Sequence, residues 1–216
     1  MSVREAPPRN GAVQRWTLEP PVLPAELILR LQKYRDMARV PRAIREAAEA
    51  VALEAGSLAR PEAVLWRGPI SRVDPSRGVT LAEVHHFQSA ALARLLAHAT
   101  EAYVVVLTLG DALEGRVRSM FEERLLLEGL LMDTAGWAAI ELSVRDVRRR
   151  LIAQERPAGR SVTHRLGPGH RDWPVEEQGA LLRIFGDTSL PVSLSESACM
   201  LPRKSISAVY GVVAAE

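Results

Sequence analysis

The β-branched run at residues 103–108 constrains the fold most. It reads Tyr-Val-Val-Val-Leu-Thr, is closed by Gly110, and gives way at once to helical signals from Asp111 to about Gln154. A short continuous apolar stretch bounded by glycine predicts a buried central strand. The longest apolar run around it, residues 102–109, falls far short of the roughly 18 residues that a membrane span needs. The helical block predicts two helices, with a break near Glu128-Gly129. Asp111 is placed to cap the first of them, and Glu114 completes the capping-box spacing. Arg148-Arg149-Arg150 puts cations toward the end of the second, and Pro157-Ala158-Gly159 closes it.

Around this centre the pattern alternates between short strands and helices. Extended structure is expected at 13–18 and 63–73, with a turn at Asp74-Pro75-Ser76-Arg77-Gly78 leading to 79–81. Helices are expected at 24–34, at 41–55 (Pro41 in the first turn, Gly56 as the stop) and at 87–97. After the long block, a strand at 161–166 feeds a Gly-Pro-Gly turn. A helix follows at 174–185, then strands at 192–194, 198–200 and 205–213. Helices grouped in blocks, with strands before and after them, predict an α+β fold with a mostly antiparallel sheet. The chain of 216 residues suits one domain over 13–216, with the polar, proline-containing residues 1–12 expected to be a mobile N-terminus.

Charge and cysteine usage exclude several functions. Basic and acidic residues nearly balance, at a net charge of +2, and the arginines are scattered among acids instead of clustered with stacking aromatics. No nucleic-acid groove and no membrane segment is expected. A single cysteine, Cys199, allows no internal disulfide and points to a reducing cytoplasm; its apolar neighbourhood predicts a buried, inert thiol. His85-His86 beside Glu83 looks like a metal cluster, yet adjacent side chains diverge on a strand or a helix. No Walker loop, dinucleotide fingerprint or nucleophile elbow is present.

One segment remains. Arg165-Leu166-Gly167-Pro168-Gly169-His170 lies between a strand and a helix start. A guanidinium beside a tight turn, with helical backbone amides nearby, can hold a carboxylate or phosphate. His170 sits in the turn itself. Taken alone, the same residues also describe a structural turn with Arg165 on a solvated edge.

Downstream come Ser195-Glu196-Ser197, then Met200-Leu201-Pro202, and then Ser205-Ile206-Ser207-Ala208. In order and spacing these segments resemble the reactivation domain of cobalamin-dependent methionine synthase. That family carries Arg-x-x-Pro-Gly-Tyr, a helix, Thr-Glu-Ser leading to Met-x-Pro, and Ser-Val-Ser-Gly before the last strand. Thr108-Leu109-Gly110 and Leu131-Met132-Asp133-Thr134-Ala135-Gly136 also look like the family's stand-alone members, so the resemblance is clearest over 103–213.

The resemblance implies a curved, mostly antiparallel sheet with flanking helices that binds S-adenosylmethionine and closes over cobalamin carried by a partner protein. Arg165 would hold the methionine carboxylate, and the Pro168-Gly169 turn would let backbone approach the ligand. Asp133 matches an acid on the family's helix near the corrinoid, and Glu196 and Ser197 fall on its Thr-Glu-Ser segment. The implied partners are a corrinoid-binding protein or methionine synthase subunit, and a reductant such as a flavodoxin or ferredoxin. Such a chain is a component of a methyltransferase and is not active alone. Three departures stand out: His170 replaces the family's Tyr, the downstream Tyr-Tyr contact to the adenosyl group has no counterpart, and an early Asp-Trp contact is missing. They keep a second expectation open, an interaction or assembly subunit that retains the fold without binding S-adenosylmethionine. A third expectation is a module using Arg165 for another carboxylate.

Overall fold

The computed structural model describes residues 11–215. The first ten residues of the segment expected to be mobile lie outside these, and Ala12 already belongs to the first strand. Nine strands and six α-helices follow in order. They are β1 (Ala12–Thr17), α1 (Ala25–Leu31), α2 (Arg42–Leu58), β2 (Glu62–Asp74), β3 (Gly78–Leu81), β4 (His85–Phe87), α3 (Ala90–Leu95), β5 (Glu101–Thr108), α4 (Ala112–Glu122) and α5 (Leu126–Glu155). The remainder are β6 (Arg160–Val162), α6 (Gln178–Leu182), β7 (Ser193–Leu194), β8 (Met200–Leu201) and β9 (Ser205–Ala214).

The main sheet runs β4-β3-β2-β5-β9-β6, with β1 added to the first half of β2. Every pairing in it is antiparallel. The register shift between Ile70 and Arg72 lets one long strand serve β1 with its first half and β3 with its second, since an extra residue bends a strand and raises its twist. The architecture is α+β, as expected.

Both faces of the sheet are covered, which explains the continuous apolar run. Tyr103, Val105 and Leu107 point into a core shared with α1, α2, α4 and α5. Ala102, Val104 and Val106 point into a second core with α3, Trp173, Leu181 and Phe185. Successive side chains on a strand face opposite ways, so with two cores neither set is left to water.

Several expected boundaries moved. The break between the long helices falls at 123–125, where Arg124 adopts φ 63°. Gly129 lies inside α5, and its missing Cβ admits the Phe121 ring, to which an added Cβ would come within 3.1 Å. Asp111 sits at the head of α4 without a side-chain cap bond; Glu114 accepts instead from the Lys204 backbone N–H at 3.0 Å. Helix α2 passes through Gly56 and stops at Leu58, shortly before Pro61. The stretch 174–185 is a short α-helix flanked by 3-10 turns. His85–Phe87 is a strand, and only 90–95 of the expected helix forms. Among the described residues, no helix is long and apolar enough to cross a membrane.

Candidate functional site

The Arg-x-x-Pro-Gly-His turn is pinned at both ends. Leu166 makes a single bridge to Val209 on β9, with backbone bonds of 3.1 and 2.7 Å. Gly167 lies so close to β9 that an added Cβ would sit 2.5 Å from the Ser207 carbonyl oxygen. Gly169 takes φ 85° and donates its N–H to the Trp173 carbonyl at 2.8 Å. Trp173 is buried, in an edge-to-face contact with Phe87 at 5.5 Å between ring centroids, with its indole N–H donating to Glu177 at 2.7 Å. Next to it, Asp172 accepts from the Ser89 hydroxyl (2.8 Å) and from the Ala90 and Ala91 amides at the start of α3 (2.8 and 3.1 Å). The Ser89 hydroxyl foremost, and then those amides, hold the Asp172 carboxyl below its ordinary range.

This turn forms one wall of a cleft of about 250 Å³, with Trp137 and Glu141 of α5, Met200 of β8 and Ser207 of β9 around it. The Arg165 Nη2 donates to Glu141 Oε1 at 2.6 Å, which sets the guanidinium plane. Its Nη1 is buried and meets no hydrogen-bond partner among the described residues. A buried guanidinium nitrogen without a hydrogen-bond partner is costly. Gln178 and Ser207 exchange side-chain hydrogen bonds of 2.8 and 3.0 Å across the floor. Burial pushes the Tyr210 hydroxyl up to about 12, against the opposing pull of Arg165 and Arg148.

The cleft brings together Arg165, Pro168 and His170, and His170 is exposed. Gly169 shapes the turn without lining the cleft. Asp133 lies one helical turn before Trp137 and accepts from the Lys204 ammonium at 2.7 Å. Glu196 and Ser197 occupy the exposed tip of the β7–β8 ribbon, outside the cleft lining. There Ser197 Oγ meets Ser195 Oγ at 3.0 Å. Cys199 is exposed in the same ribbon, contrary to the buried thiol expected, because the two strands are too short to bring a covering layer. Among the described residues no group of three metal-ligating side chains converges, and His85 and His86 form no such site.

Sequence reasoning missed Trp137, Glu141, Lys204 and Gln178. Only Trp137 and Glu141 left a trace, at four-residue steps from Asp133 on one helix.

An antiparallel sheet covered on both faces, with an arginine turn leaning on its last strand and a long helix opposite, defines an α+β activation-domain-like fold. No protein-family model matches the chain, and no curated protein does. In three dimensions the chain is similar to the MetH reactivation domain bound to AdoHcy. The TM-score is 0.58, over 98% of this chain and 82% of that one, at 14% sequence identity. The likeness shows the fold and agrees with the resemblance carried by the motifs.

Proposed function

We propose that residues 13–216 act as one stand-alone, activation-domain-like partner of a cobalamin-dependent methyltransferase, most simply methionine synthase, and support reductive remethylation with S-adenosylmethionine. The observation that carries this reading is the buried, unpartnered Nη1 of Arg165 inside a cleft, at the position where the family's motif holds the methionine carboxylate. AdoHcy in the similar structure is the demethylated form of that ligand. Arg165 offers the carboxylate a charge-assisted bond, while Pro168 and Gly169 shape the backbone beside it. His170 stands on the rim where the family has Tyr. In this reading Asp133 and the ribbon tip with Glu196 and Ser197 meet the corrinoid-carrying partner. The corrinoid, carried by a separate cytoplasmic protein and reduced by a flavodoxin or ferredoxin, supplies the nucleophilic metal; this chain positions the methyl donor and excludes water.

A second reading, a non-catalytic assembly subunit, is favoured by one feature. The cleft of about 250 Å³ lies below the roughly 300–1,000 Å³ usual for small-molecule sites.

Calorimetric titration with S-adenosylmethionine, alone and with a corrinoid-loaded partner, separates the two. Binding that Arg165→Ala weakens by roughly thirtyfold or more, as loss of a buried charge-paired group implies, supports the first reading. Absence of binding in both settings leaves the assembly subunit.

A further inference from the structure

Trp66 and Trp173 are each 1% exposed, whereas Trp137, in the middle of a 30-residue helix, is 54% exposed. Its ring is nonetheless held. The Lys204 ammonium lies 4.9 Å from the ring centroid, and Lys204 itself is buried. Its Nζ donates to Asp133 at 2.7 Å. Gly136 makes room for the lysine stem, because a Cβ there would lie 2.7 Å from Lys204 Cε. A buried ammonium is tolerated only when paired, so Asp133 and Gly136 of α5 and Lys204, immediately before β9, together fix the Trp137 indole at a cleft mouth.

The position of that indole matters. Trp137 and Glu141 are four residues apart and lie on one face of the helix, about 5–6 Å apart at Cβ. Glu141 holds Arg165. A ligand whose carboxylate sits on Arg165, and which is larger than the cleft, must leave it over the rim. His170 also lines the cleft, but no hydrogen bond fixes its ring among the described residues.

We propose that Trp137 is the stacking platform for the purine of an adenosyl amino acid, with Lys204 and Asp133 as positioning residues that hold its ring. The inference rests on the ligand class proposed above and adds the residue that would hold its adenosyl group. Because Lys204 already places a cation on the ring, the platform suits a neutral purine over the sulfonium. Its contribution is therefore the same for S-adenosylmethionine and S-adenosylhomocysteine.

The test is calorimetry of the full chain with three probes: S-adenosylmethionine, S-adenosylhomocysteine and S-methylmethionine, which keeps the amino acid and sulfonium but lacks the purine. Trp137→Ala is expected to weaken both adenosyl ligands roughly ten- to hundredfold, the usual loss of one base–aromatic stack, and to leave S-methylmethionine unchanged. Trp137→Phe restores most of the affinity. Asp133→Asn, which frees Lys204, lowers adenosyl affinity without moving S-methylmethionine, a selectivity that a merely structural role would not produce. Equal weakening of all three probes by Trp137→Ala overturns the platform. Unchanged adenosyl binding in Trp137→Ala alongside loss in Arg165→Ala overturns it while the reading of Arg165 stands. Failure of all three probes to bind the unaltered chain, both alone and with the corrinoid-loaded partner, overturns both.

Discussion

Replacing Glu155 by Gln tests whether the far end of α5 is held electrostatically. Glu155 is 1% exposed. Its carboxylate accepts from the Tyr103 hydroxyl at 2.5 Å and from Arg160 Nε at 2.7 Å, and Arg67 Nη2 approaches at 3.4 Å. Burial first, and then the bond to Glu155, push the Tyr103 hydroxyl well above its ordinary range, so it remains a donor at any working pH. Glutamine keeps the shape but removes the charge, leaving two guanidiniums to share Glu101, 3.0 Å from Arg67 and 4.0 Å from Arg160. Breaking a buried pair in this way costs about 3–5 kcal/mol. The arginines are 24% and 36% exposed, so water reduces this to about 2–4 kcal/mol. At about 2–4 °C per kcal/mol for a domain of this length, the midpoint should fall by about 5–15 °C in a thermal melt followed by circular dichroism. The drop should persist in 1 M salt, because a buried carboxylate is poorly screened. A loss below about 2 °C, or one abolished by salt, would refute the idea that this buried cluster clamps α5 to the sheet.

Two further perturbations probe the turn. Asp172→Asn removes the acceptor shared by Ser89, Ala90 and Ala91. Because the folded carboxyl titrates below its unfolded value, the stabilisation is present above about pH 4 and is lost as pH falls through the folded value; acid melts should show that loss in the unaltered chain and not in the variant. Gly167→Ala places a Cβ 2.5 Å from a backbone carbonyl that cannot rotate away. It should lower stability by about 1–3 kcal/mol and abolish ligand binding at the Arg165 cleft; an unchanged melt would show that the turn and β9 are not in hard contact.

The centre of the sheet was legible because 103–108 is a continuous apolar run closed by Gly110 and could be little else, whereas the edge strand β1 is half exposed. Glycines misled where they mark close approach instead of a chain break. Gly129 receives Phe121, whereas Gly56 sits in the last turn of α2, which runs only two residues past it; an isolated sequence shows the missing Cβ but not the atom that occupies its place. Strand β4 was hidden because three residues carry too short a period to outweigh the helical spacing beside them.

The site divides along the same line. Arg165 could be read because turn, arginine and helix start are contiguous, and local chemistry alone makes such a corner. Its counterpart Glu141 is 24 residues away, and Lys204 reaches back 71 residues to Asp133. Such pairs exist only after β9 has docked between β5 and β6 and brought its first residues under α5. What the sequence did hold is a spacing: Asp133, Trp137 and Glu141 at four-residue steps, with Gly136 inserted among them. On an amphipathic helix that stripe would read as a solvated face. Beside a glycine it means that another chain segment lies across the helix there, and a tryptophan next to such a crossing is held in place even when half its surface faces water. The face of α5 that composition alone would assign to solvent is thus the one that Lys204 crosses and that lines the cleft.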